Sequence, residues 1–163
     1  MAARTRSAMT LRNLVRLFMQ RVEGFLLEDL HFKGRVKPVG QIARVDEVIL
    51  KEVVAVIKMT GALHGTIILS FDENLARKIV VRYVPDGTSK EKLESLFYDT
   101  MAEMANLIVA NSIEKFPQGY DQISLGVPKA WRNQNLRLRN MGNDLWSAEA
   151  KTSHGNFSIS LQV

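Results

Sequence analysis

Val56-Ile-Lys-Met-Thr-Gly61-Ala-Leu-His-Gly65-Thr-Ile-Ile-Leu-Ser-Phe71 reads as two β-branched runs separated by a glycine-containing break. That is the pattern of a hairpin: Val and Ile suit a pleated surface, and glycine lets the chain reverse. The first run begins at Val48 and is apolar to Met59 apart from Lys51, Glu52 and Lys58, as expected of one strand covered on both faces. The second runs from Leu63 to Phe71. The period then changes, and Leu75, Ile79 and Val80 recur at helical steps over Glu73–Tyr83. Pro85-Asp86-Gly87-Thr88 closes that helix. A hairpin running directly into a helix sets the class as α+β, with helices packed on an antiparallel sheet.

The flanks extend the same plan. Upstream, Leu11, Leu14, Val15, Phe18, Val22, Phe25 and Leu26 lie three and four residues apart, which predicts an amphipathic helix from Thr10, as its cap, to about Leu30. Val36, Val39, Ile42 and Val45 sit among Gly34, Pro38 and Gly40, so the strand that follows is expected to be irregular. Downstream, Ser89 or Lys90 opens the longest helix, which runs to about Phe116 and stops at Pro117-Gln118-Gly119. Gln122–Val127, Ala130–Arg139, Leu145–Thr152 and Phe157–Val163 then read as extended. The predicted order is helix, three strands, helix, long helix, four strands. With 163 residues, this is expected to be a single domain, 1–163.

Composition excludes several chemistries. There is no cysteine, so there is no disulfide, thiolate metal site or cysteine nucleophile, and a reducing, cytoplasmic location is expected. His31, His64 and His154 lie far apart, and no metal site is expected. No apolar run reaches the ~20 residues that span a bilayer, and no apolar segment follows Arg4 and Arg6 as a secretory signal requires. The net charge of +5 comes from Arg4, Arg6, Arg12, Arg16 and Arg21 at one end and Lys129, Arg132, Arg137 and Arg139 near the other. Neither group accompanies a nucleic-acid motif, and no nucleic-acid partner is expected.

The long helix carries the chemical signal. Advancing about 100° per residue from Asp99 puts Glu103 near 40°, Asn106 near −20° and Ala110 near 20°. Leu93, Phe97, Met104, Leu107 and Ile108 fall at roughly 80–180° and read as the buried side. Asp99, Glu103 and Asn106 thus share one polar stripe, with a small residue one turn on. Such a stripe is either a solvated face or a site. As a site, a carboxamide can orient and polarise a water, and a carboxylate can pair with a partner's lysine. Phosphoryl hydrolysis asks mainly for positioning and electrostatic help. Asn111 projects to the apolar side and reads as a buried asparagine that satisfies backbone groups. Trp131 and Trp146 are expected to pack across adjacent strands.

Asp99-Thr-Met-Ala-Glu103-Met-Ala-Asn106, with Pro128 after Ser124-Leu-Gly-Val, resembles the signature of the CheC/CheX/FliY chemotaxis phosphatases. The proline comes one residue sooner than in the family pattern, as a deletion in the Gln118–Gln122 loop would explain. The Val56–Phe71 hairpin and the helix after it are also similar to the family, Asn111 matches a further family asparagine, and the likeness spans about Lys51 to Lys129. The signature occurs once, as in single-site CheX.

The resemblance implies a CheC-like fold and a phosphatase acting on the aspartyl phosphate of a CheY-like receiver domain. It implies that Asn106 orients the attacking water and Glu103 pairs with the receiver's lysine. Asp99 would either shape the docking surface or simply contribute charge near the helix middle, and Pro128 would fix the strand beside the helix. Mg²⁺ would belong to the receiver, the chain having no cofactor of its own. A homodimer is also expected, paired through sheet edges, because Phe157–Val163 has neither charge nor proline to protect an edge. The alternative is a non-catalytic module of the same fold that docks a receiver or a flagellar switch component.

Overall fold

The computed structural model describes residues 2–120 and 122–163; for residues 2–9 it describes the backbone alone. Helix α1 spans Ala2–Gly24, so Thr10 lies within it instead of capping it. The helix widens into a π-helical turn at Phe25–Asp29, where the Leu30 N–H donates to the Phe25 carbonyl at 2.9 Å. Leu11, Leu14, Val15, Phe18, Val22, Phe25 and Leu26 are all buried, as their spacing predicts.

The main sheet is seven-stranded, in the order β1 (Lys37–Arg44), β8 (Leu145–Thr152), β9 (Gly155–Gln162), β4 (Gly65–Phe71), β3 (Val53–Gly61), β5 (Ile123–Leu125), with β6 (Lys129–Arg132) also paired to β3. Every pairing is antiparallel. The β3–β4 hairpin holds register from Val53 opposite Phe71 to Met59 opposite Gly65. Strand β1 is irregular, as Pro38 and Gly40 suggest: its register against β8 slips between Val39 and Ala43. Helices α1, α2 (Glu73–Tyr83) and α3 (Lys90–Ile113) contribute to one core with the sheet residues Val53, Ala55, Ile57, Met59, Ile67, Leu69, Phe71, Phe157, Ile159 and Leu161.

Two runs expected as single strands are each broken. Val48–Met59 divides into β2 (Glu47–Ile49) and β3, and Ala130–Arg139 divides into β6 and β7 (Arg137–Arg139). The breaks face each other. Inside the main sheet β3 pairs with β6, and beyond it β2 pairs with β7 as a separate ribbon. Asn133 bridges the gap: its N–H donates to the Glu52 carbonyl at 2.8 Å, its Nδ2 donates to the Lys51 carbonyl at 2.8 Å, and its Oδ1 accepts from Leu136 N–H at 3.0 Å. The amide replaces ladder bonds that a bent strand cannot make. The ribbon brings Leu50, Val48 and Leu138 onto Val54, Val56 and Ile68 in a second, smaller cluster. Strand β3 is therefore covered on both faces, as its apolar run requires.

Strand β9 is paired on both sides, to β8 and to β4. Phe157–Val163 is uncharged because it is interior, and the free edge expected there does not exist. The free edges are β1 and the β5–β6 side. Trp131 on β6 and Trp146 on β8 are not on neighbouring strands, so they do not pack across a strand pair. No helix among the described residues is long and apolar enough to cross a membrane.

Candidate functional site

Helix α3 starts at a true cap, with the Ser89 side chain accepting from Lys92 N–H at 3.2 Å. It ends at Ile113, a turn earlier than the proline at 117 suggests, with the chain closing through Glu114–Phe116. Phe97, Thr100, Met101, Met104, Ala105, Ile108, Val109, Ser112 and Ile113 are buried. That face centres near 190° on the wheel begun at Asp99, by about 100° per residue. A helix gripped by so many side chains is a rigid platform, and what projects from its other side is held in fixed relation.

The other side carries the motif. Asp99 and Glu103 are exposed, and Asn106 and Ala110 are half-buried. The structure thus brings Asp99, Glu103 and Asn106 together on one outward stripe. Leu107, expected on the buried side, is 40% exposed. It sits at the margin of the apolar arc, and its side chain borders the stripe. Asn111 is half-buried. Pro128 lies elsewhere, in the Gly126–Pro128 connection between β5 and β6. There Leu125 pairs with Met59 and Lys129 with Val56, so three residues oppose two and the edge bulges. A proline is tolerated at such a place because no ladder N–H is needed. The loop at 118–122 contains Asp121, which lies outside the described residues.

The charges of the helix layer divide into two kinds. Arg77 on α2 bonds Glu73 at 3.2 Å and Glu94 on α3 at 2.7 Å, and Arg132 on β6 also pairs with Glu73. The hydrogen bond and charge of Arg77 hold the Glu94 carboxyl below the usual carboxylate range. These carboxylates are consumed in tying α2, α3 and β6 together. Asp99 and Glu103, by contrast, take part in none of the ion pairs among the described residues. Glu103 accepts one contact, from the Tyr83 hydroxyl at 3.4 Å. The Asn106 carboxamide has no hydrogen-bond partner among the described residues, so its donors and its acceptor are open to water or to a partner.

The site therefore offers an unpaired carboxylate and an unbonded carboxamide one turn apart on a fixed helix. Among the described residues, no group of three or more His, Asp or Glu side chains is placed to hold a metal ion. Sequence reasoning missed Tyr83, which closes α2 and reaches Glu103 only through the packing of α2 on α3. No periodicity within either helix signals that contact.

A protein-family comparison matches residues 53–147 to CheX, described as chemotaxis phosphatase CheX. The chain belongs to the CheX family. The matched span contains the whole stripe and Pro128. Among solved structures, chemotaxis protein CheX from Vibrio vulnificus is similar at 19% identity, covering 92% of this chain and 98% of that one, with a TM-score of 0.69. CheX from Desulfovibrio desulfuricans is similar at 17% identity, covering 91% and 97%, with a TM-score of 0.74. A CheX–CheY–BeF3–Mg²⁺ complex from Borrelia burgdorferi contains a similar chain at 15% identity, covering 91% and 96%, with a TM-score of 0.69. These likenesses establish that this CheX family member has the fold of CheX and CheC-like proteins over nearly its full length. No curated protein matches the chain significantly.

Proposed function

We propose that this protein hydrolyses the aspartyl phosphate of a CheY-like receiver domain in chemotaxis or two-component signalling, with α3 laid over the receiver's phosphorylation pocket. Asn106 orients the water for in-line attack on phosphorus. The acyl phosphate's P–O bond breaks, the receiver's carboxylate leaves, and inorganic phosphate takes up the water oxygen. Glu103 pairs with the receiver's lysine and fixes the register of docking. Asp99 lies one turn before Glu103 and shapes the same surface, while Pro128 holds the bulged edge strand away from the stripe. Mg²⁺ is carried by the receiver.

The observation that supports this reading best is the state of the stripe. Among the described residues Glu103 has no ion-pair partner, and Asn106 is half-buried with its amide unbonded. A carboxylate serving stability would be paired, as Glu73 and Glu94 are. Family membership and the CheY bound in the Borrelia complex point to the same class of partner. The arginines of the downstream basic group are occupied within the fold: Arg137 and Arg139 both bond Glu47, at 2.9 and 3.4 Å, and Arg132 is held by Glu73. The test is the half-life of label on phosphorylated receivers from the same organism. Micromolar protein should shorten it for at least one of them, and an unchanged half-life for all would leave only the non-catalytic docking module. The same reading carries a homodimer, for which β1 and the β5–β6 side are the strands with a free edge. Sedimentation equilibrium distinguishes it from a monomer of 18.4 kDa.

A further inference from the structure

Tyr83 is the last residue of α2, and four contacts fix where it stands. Its neighbour Arg82 donates from Nη1 to the carbonyls of Leu30 and His31 at 3.0 and 2.9 Å, and its guanidinium lies over the Phe32 ring, 4.9 Å from the centroid. These contacts clamp the end of α2 to the chain that leaves α1. The Tyr83 ring then packs on the buried Phe25, with centroids 6.1 Å apart, and is itself half-buried. From that seat its hydroxyl reaches the Glu103 Oε1 at 3.4 Å.

We infer that Tyr83 is a positioning residue for this site: a fixed phenol that holds one oxygen of Glu103 and leaves the other presented to an incoming cation. A free glutamate on a helix surface samples many rotamers, and ordering such a side chain on binding costs conformational entropy. A donor that favours the docking rotamer beforehand removes part of that cost. The bond is long for an O–H···O contact, so it biases the carboxylate without locking it. The phenol stays the donor at neutral pH. Burial pushes its pKa up, and the Glu103 charge and hydrogen bond push it further in the same direction. A tyrosine is suited to this in a way that a lysine or arginine is not, because it orients the carboxylate without neutralising the charge that the partner is to meet.

The inference rests on the reading of Glu103 as the group that meets a receiver's cation, and its test separates the two. Affinity is measured for a beryllofluoride- and Mg²⁺-activated receiver domain, using wild type, Tyr83→Phe, Glu103→Ala and the double variant. Tyr83→Phe keeps the ring on Phe25 and removes only the hydroxyl. It should weaken binding roughly three- to ten-fold where Glu103 is present and have no effect where Glu103 is Ala. Equal weakening in both backgrounds, or none in either, overturns the role. The isolated protein gives a second readout. The Tyr83 phenol, followed by NMR of its ring carbons, should titrate at lower pH in Glu103→Gln than in wild type. An unchanged titration removes the contact itself. If Glu103→Ala binds the receiver as wild type does, the docking reading of Glu103 fails, and the positioning role fails with it, whatever the tyrosine titration shows.

Discussion

At the scale of single residues, the division of labour between Glu103 and Asn106 makes distinct predictions. Glu103→Ala would leave a partner lysine unpaired in a closed interface, a change of about 2–5 kcal/mol where the pair is desolvated. The expected outcome is weaker docking, seen as a raised half-saturation in titrations with phosphorylated receiver, with activity partly restored at high concentration. Unchanged affinity and rate together would remove Glu103 from the site. The stripe itself was legible in the sequence, since a 3.6-residue period is enough to place Asp99, Glu103 and Asn106 on one side. Its margin was not. Leu107 and Thr100 differ by only about 20° on the wheel, yet Thr100 is buried and Leu107 is not. Tyr83 was illegible for a stronger reason: its meeting with Glu103 depends on how two helices cross and on Arg82 anchoring one of them.

Among the elements, the β3–β4 hairpin offers the sharpest test of the fold. Gly61 ends β3 with φ +99°, and a Cβ built there would lie 2.4 Å from the Gln122 carbonyl oxygen. Gly61→Ala combines a left-handed backbone with a clash against the neighbouring β5 side, and should cost on the order of 1–3 kcal/mol. Urea denaturation should show the midpoint falling with the slope unchanged. Asn133→Ala should cost about 0.5–1.5 kcal/mol, because the part-buried Lys51 carbonyl and the Leu136 N–H lose their side-chain partner. Both elements were readable as extended chain. Their interruptions were not, because each break exists to match the other: Leu50–Glu52 bends where Asn133–Leu136 bends, and neither segment carries a glycine or proline to announce it. The uncharged stretch Phe157–Val163 misled in a similar way. Absence of charge marks both an unprotected edge and an interior strand, and only the sheet order separates them.

For the molecule as a whole, the proposed reaction uses only the metal carried by the partner. Isothermal titration of the isolated, chelator-washed protein with Mg²⁺ should show no stoichiometric site, while dephosphorylation should require Mg²⁺ once the receiver is present; stoichiometric binding by the protein alone would contradict this. The architecture suits such a role. The sheet and its β2–β7 ribbon fix the core, α3 is gripped along one side, and its outward side carries Asp99 and Glu103 outside every ion pair of the described residues, with the Tyr83 hydroxyl against Glu103. The measurement that bears most directly on the central claim is a single-turnover comparison of wild type and Asn106→Ala on a labelled, phosphorylated receiver, at protein concentrations that saturate binding. Loss of a group that positions the attacking water should lower the rate by roughly 10²–10³-fold, as loss of a comparable preorganised donor does. Binding of the beryllofluoride-activated receiver should be nearly preserved and the fold intact by circular dichroism. A folded Asn106→Ala variant that removes the label at the wild-type rate would show that the carboxamide on this stripe does not direct the water.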